Sequence, residues 1–134
     1  MIAVDTSAVV AIILDEPERE PFRRIIESSN EALISAVSVV EIRVVIHNRV
    51  GQRGTVFFDG LLRLPMFEVV SPGIAELQAA YAAFVAYGKG SGHPAQLNFG
   101  DLFAYALAKV RGVPLLFKGD DFSRTDIQSA AAAL

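Results

Sequence analysis

The chain has 134 residues, 52% of them hydrophobic, and a mean hydropathy of +0.41; this describes one compact domain over residues 1–134 and excludes a disordered chain. With no cysteine and only two histidines, His47 and His93, disulfides, thiolate metal sites, iron–sulfur clusters and cysteine nucleophiles are excluded and a multi-histidine centre is hard to build, which leaves carboxylates to carry any chemistry. Fifteen acids against twelve bases give a formal charge of −3, which at first sight argues against a nucleic-acid ligand.

Ile2-Ala3-Val4 is a short apolar run closed by Asp5 and reads as a buried first strand. The apolar run on to Leu14 contains Asp5, lacks a preceding basic residue and is too short to span a bilayer, so a soluble cytoplasmic protein without membrane attachment is expected. Thr6 or Ser7 caps a helix to about Leu14, and Glu18 opens a second whose Phe22, Ile25 and Ile26 recur at helical spacing. Ala32–Ser35 is a second strand. Ser38 then begins a helix to Val50 with Val39, Ile42, Val45 and Ile46 on its apolar stripe, and Gly51 ends it.

A helix over Thr55–Leu64 precedes a third strand, Phe67–Val70, and Ile74–Tyr87 is a long helix. The segment Gly88–Pro94 is a glycine-rich loop. It lacks the phosphate-loop pattern, because Ala83 and Gly90 stand where that pattern needs glycine and a hydroxyl. Asn98 caps a helix to Arg111, stopped by Gly112; Leu115-Leu116-Phe117 is a fourth strand, and the alanines from Ala130 to Ala133 read as a frayed helix end. Strands alternating with helices predict an α/β fold: three layers, α/β/α, around a mostly parallel sheet of four or five strands, with a site beyond the strands' carboxyl ends.

In such a sheet, Asp5 at the end of the first strand and Glu41 at the start of the next helix share one rim with Asp120 and Asp121, which follow the fourth strand. Asp101, opening the helix before the fourth strand, lies on the same side. Four carboxylates gathered there repel one another unless a cation is bound, and an all-oxygen donor set suits Mg²⁺ or Mn²⁺. Each acid also has an ordinary reading: Ser38-x-x-Glu41 and Asn98-x-x-Asp101 are capping-box patterns. Capping, however, does not require that they share a rim. His47 and His93 read as surface or packing residues.

The blocks Ile2-Ala3-Val4-Asp5-Thr6-Ser7-Ala8, Ser38-Val39-Val40-Glu41, Asn98 through Ala108 and Leu115 through Phe122, in that order, together resemble the PIN-domain ribonucleases, specifically the VapC toxins of bacterial toxin–antitoxin pairs. The resemblance implies a PIN-like fold, a Mg²⁺- or Mn²⁺-dependent endoribonuclease, a homodimer and inhibition by a VapB-like antitoxin. Its core acids fall on Asp5, Glu41 and Asp101, with Thr6 and Ser7 as hydroxyl helpers. For the fourth acid, the position that many relatives use is Gly119 here, which leaves Asp121 with Asp120 as substitute; Asp126 is expected to be structural.

Two rival readings exist. An aspartate-phosphotransfer domain also places an acid after the first strand, but the phosphatase pattern needs a second aspartate where Ser7 stands; a domain that only binds protein would predict loss of core acids, and all are present. Without the four site acids, eleven acids face twelve bases. The negative total therefore belongs largely to the site, and Lys118, Arg124, Arg43 and Lys89 are available to RNA phosphates. The residues Val39, Val40, Val44, Val45, Phe57, Phe58, Leu61 and Leu62 are candidate interface positions, with core packing as the alternative.

Overall fold

The computed structural model describes residues 1–132. The chain runs β1 (Ile2–Val4), α1 (Thr6–Ile13), α2 (Arg19–Ser28), β2 (Ala32–Ser35), α3 (Ala36–Val50), α4 (Gln52–Leu62), β3 (Phe67–Val70), α5 (Ile74–Tyr87), α6 (Phe99–Arg111) and β4 (Leu115–Leu116), followed by a 3₁₀ turn at Phe122–Arg124. The four strands form one all-parallel sheet in the order β3-β2-β1-β4. The fifth strand allowed by the sequence is reduced to a single parallel bridge between Leu115 and Ser129. The three described alanines after it, Ala130–Ala132, lie in turns and not in a helix; Ala133 falls outside the described residues.

Strand alternation sorts the core into two halves. Ala3, Leu33 and Leu115 point to the face covered by α5 and α6. Ile2, Val4, Ala32, Ile34 and Leu116 point to the other, against α1 to α4 with Phe22, Ile26, Ile42, Ile46 and Phe58. Strands buried on both faces need continuous apolar runs, which is what the first, second and fourth strands supply. Edge strand β3 is the exception, with Glu68 and Val69 exposed, and its charge discourages further pairing. The fold is thus the expected three-layer α/β/α arrangement. Among the described residues no helix is long and apolar enough to cross a membrane.

Three helix starts differ from expectation, that of α1, capped by Asp5, among them. Helix α3 begins at Ala36, with the hydroxyl of strand residue Ser35 accepting from the Val37 N–H, so Ser38 is not a cap but a buried helix residue. Helix α4 begins at Gln52, because Gly51, at φ +71°, turns the chain by itself between the two helices. Helix α6 starts and stops as expected, at Asn98 and at left-handed Gly112. Asp126 is structural: it accepts from the Tyr105 hydroxyl at 2.5 Å and from Lys109 at 2.6 Å, tying the segment after β4 to α6. Of the candidate interface residues, Phe58 is core, whereas Val40, Val44 and Phe57 are exposed. The sequence reading missed a larger apolar exposure on α5, at Ile74, Leu77, Tyr81 and Val85.

Candidate metal centre

The strand order changes direction at β1: the chain steps outward to β2 and β3, then returns to place β4 on the other side. The carboxyl ends of β1 and β4 therefore border a crevice of the kind in which α/β proteins bind ligands. Asp5 leaves β1 into it, and its backbone N–H donates to Leu116 at 2.9 Å. The side chain caps α1. Its Oδ2 accepts from the Ser7 N–H at 3.0 Å and from the Ser7 hydroxyl at 2.6 Å. Its Oδ1 is buried and accepts nothing among the described residues. The cap is therefore Asp5 itself, and neither Thr6 nor Ser7.

Because α3 begins early, Glu41 lies in the helix's second turn and the capping-box reading of Ser38-x-x-Glu41 does not hold. Glu41 instead accepts from the Thr6 hydroxyl across the crevice. Its carboxylate lies against the backbone of Gly100, where any Cβ would overlap it. The Asn98 and Asp101 capping box is real in both directions, at 2.9 Å each way. That role coexists with a second one, since the charges of Asp5, Asp121 and Glu41 all act on Asp101. The charges of three acids from the expected rim thus reach Asp101, although Asp121 is itself exposed. Asp120 is exposed, its backbone carbonyl taking the Ser123 hydroxyl.

Burial pushes Asp5 up to about 6, and the Glu41 charge adds to this against the lowering hydrogen bonds of Ser7 and Thr6. Burial likewise raises Asp101 to about 7, opposed by the Asn98 N–H and reinforced by Asp5, Asp121 and Glu41. Asp5, Glu41 and Asp101 have each turned to their own donor, and among the described residues no three His, Asp or Glu side chains are gathered at metal-binding spacing. The donor set nevertheless fits a hard divalent cation. It consists of carboxylate oxygens alone, includes an unpartnered buried Oδ1, and holds protons that a cation would displace.

Both shifts favour the protonated acid in the folded state, so the cation-free protein should lose stability as pH rises from about 4 through the folded values near 6 and 7. In a chelator, the melting temperature is expected to fall by about 5 °C or more between pH 5 and pH 8. Added Mn²⁺ should reverse the fall at pH 8 and have little effect at pH 5, which differential scanning calorimetry can measure. A melting temperature that rises across this range in chelator would contradict the assignment.

The candidate phosphate contacts are placed unevenly. Arg43 is held by Asp59 at 2.7 Å and lies over the Phe58 ring. Lys118 stands between Glu16 and Glu18, at 3.3 Å from each, and its backbone N–H donates to the Ser7 hydroxyl at 3.0 Å. Arg124 reaches the Pro94 carbonyl at 3.4 Å. Lys89 is exposed in the loop after α5 and forms no ion pair among the described residues. His93 accepts from the Ala95 N–H and packs edge-on against Tyr87, and His47 is exposed on α3, so both are the surface or packing residues expected. Gly100 is the site residue that sequence reasoning missed. Its signal was present in Asn98-Phe99-Gly100-Asp101, since glycine inside a helix's first turn costs stability without a local reason.

A model of the PIN domain matches residues 2–128. A VapC ribonuclease of Mycobacterium bovis and the ribonuclease VapC30 of Mycobacterium tuberculosis are each 44% identical over 128 residues, 96% of this chain and 97% of theirs. Among solved structures, VapC20 of Mycobacterium tuberculosis, a toxin that cleaves the sarcin–ricin loop, superposes with a TM-score of 0.77 at 18% identity, covering 95% of this chain and 96% of its own. The VapBC2 complex from Rickettsia felis, bound to a DNA fragment from its promoter, gives a TM-score of 0.76 at 15% identity, with 96% of each chain covered.

Proposed function

Since this chain belongs to the PIN-domain family, we propose that it is a single-domain endoribonuclease, the toxin of a toxin–antitoxin pair, which hydrolyses RNA phosphodiester bonds with Mg²⁺ or Mn²⁺. The observation that carries this reading is the buried Asp5 carboxylate at the sheet's carboxyl edge, whose Oδ1 has no hydrogen-bond partner among the described residues and which lies within reach of the Glu41 charge. Full-length relatives named as ribonucleases support the activity. A divalent cation in this site supplies positive charge for the scissile phosphate and makes a water more acidic.

The residues of the chain divide the remaining work. Asp5 and Asp101 would hold the cation, with Glu41 and Asp121 to complete or position it and Asp120 as substitute for Asp121. Ser7 occupies one oxygen of Asp5 and so leaves Oδ1 open. Thr6 fixes the Glu41 carboxylate across the crevice. Direct attack by water leaves a 5′-phosphate and a 3′-hydroxyl, whereas attack by the RNA's own 2′-hydroxyl would leave a cyclic phosphate.

A VapB-like antitoxin is the partner inferred for inhibition, in the cytoplasm where the RNA is. A homodimer would cover part of the exposed apolar surface on α5. The test of the activity is to incubate the purified chain with structured RNA, such as tRNA or ribosomal RNA, and sequence the new 5′ ends. Cleavage with 5′-phosphate ends, stopped by a chelator and restored by Mn²⁺, is the expected result. Cleavage indifferent to the chelator, or cyclic phosphate ends, would overturn the reading.

A further inference from the structure

Lys118 is an exposed lysine one loop away from four acids, where a phosphate contact would be expected, yet its ammonium is already engaged. It lies 3.3 Å from Glu16 Oε1 and 3.3 Å from Glu18 Oε2. Glu18 Oε2 is buried and accepts no hydrogen bond among the described residues, so the Lys118 charge is what offsets it. Glu16 and Glu18 sit in the turn between α1 and α2, a rigid place: the Glu16 N–H donates to Ala11 at 2.9 Å and its carbonyl accepts from Arg19 at 2.9 Å. Lys118 itself enters the loop after β4, next to Gly119 at φ +96°. The double ion pair is thus a strut from a firm turn to a short exposed loop.

The strut bears on Asp5 through one intermediate. The Lys118 backbone N–H donates to Ser7 Oγ at 3.0 Å. With that donor on its oxygen, the Ser7 hydroxyl proton is directed to Asp5 Oδ2, at 2.6 Å. A hydroxyl has one proton to give, so this sequence of bonds adds a second donor to Oδ2, which also accepts the Ser7 N–H at 3.0 Å, and leaves Oδ1 open. We propose that Lys118 is a positioning residue: its side chain, clamped by Glu16 and Glu18, holds the peptide that orients Ser7 and thereby presents Asp5 Oδ1 to the cation. The proposal rests on the metal-centre reading above.

The test is direct Mn²⁺ binding to the full chain, followed by electron paramagnetic resonance, with RNA-cleavage kinetics measured alongside. Lys118→Met should raise the Mn²⁺ dissociation constant about tenfold, at the low end for residues that support metal ligands from outside the coordination sphere, while kcat at saturating Mn²⁺ falls far less. The double variant Glu16→Gln/Glu18→Gln, which keeps Lys118, should show the same weakening, and Lys118→Arg should bind within about threefold of the parent. If Lys118 instead contacts RNA phosphate, Lys118→Met raises the KM for RNA at unchanged Mn²⁺ affinity and the double glutamine variant has no effect; that pattern overturns the proposal. Asp5→Asn separates the two levels. Loss of Mn²⁺ binding there with none in the Lys118 variants sinks the clamp alone, whereas unchanged binding in Asp5→Asn sinks the metal centre.

Discussion

Asp5→Asn should lower RNA cleavage at saturating Mn²⁺ by about a thousandfold and, in the same protein without cation, raise the melting temperature. The loss of rate follows from the several kcal/mol that a bound divalent cation contributes to stabilising charge on a phosphate, since about 4 kcal/mol corresponds to a thousandfold. The gain in stability follows from burial. Asp5 is 3% exposed, and its ionisation is opposed by desolvation and by Glu41. Asparagine keeps the shape and an acceptor for the Ser7 N–H while removing the charge. Calorimetry at pH 8 in chelator reads the second effect and an RNA-cleavage assay the first. Cleavage at the parental rate, or a lower melting temperature, would contradict the role given to this residue. Asp101→Asn should act in the same direction on both measurements, because its carboxyl is also raised by burial and by the neighbouring acids.

Gly100→Ala should reduce cleavage by about 10- to 100-fold without replacing any acid, the range seen when support of a metal ligand is lost. A Cβ at this position would fall within the Glu41 carboxylate. What yields is the end of a flexible side chain and not backbone, so the cost falls on the placement of Glu41 and on its bond with Thr6. The helix itself should benefit, because alanine in place of glycine favours helix by about 1 kcal/mol. The expected result is a protein that melts at or slightly above the parental temperature but cleaves RNA poorly. Gly60→Ala is the control: nothing lies within 4 Å of a Cβ there, so stability should rise at unchanged activity. Parental activity in Gly100→Ala would show that Glu41 does not need its present position.

The common edge on which the four acids are expected could be read from sequence because a parallel sheet constrains it, whereas their spacing could not: among the described residues no three stand at metal-binding spacing. Asp5, Glu41 and Asp121 follow strands and Asp101 opens the helix that leads into one, and chain direction alone puts those positions on one rim. The start of α3 was not legible. Ser35 and Ser38 are both good caps three residues apart, and only the pairing of β2 with its neighbours carries Ser35 to the strand end where its hydroxyl meets the Val37 N–H. That single turn of helix moved Glu41 out of a capping box and across the crevice to Thr6. The partners of Lys118 were hidden for a different reason. Its charge and its nearness to the acids were visible, but Glu16 and Glu18 come a hundred residues earlier, and no local pattern in their acidic run indicates which cation they meet. Likewise Phe58 and Phe57 are adjacent in sequence and differ only in the side of α4 on which they fall.

The bond from the Lys118 N–H to Ser7 joins residues 111 positions apart, and β4 reaches its place beside β1 over a similar span. Contacts of such long range close late in folding, because loop-closure entropy opposes them until the rest of the sheet can hold them. The acids of the site therefore come together only when nearly the whole chain has been made and folded. A ribosome that stalls, or a protease that cuts before Leu115, leaves a fragment with Asp5, Glu41 and Asp101 but without the strand that organises them. A fragment ending before Leu115 is therefore expected to cleave no RNA, although it keeps three of the four acids.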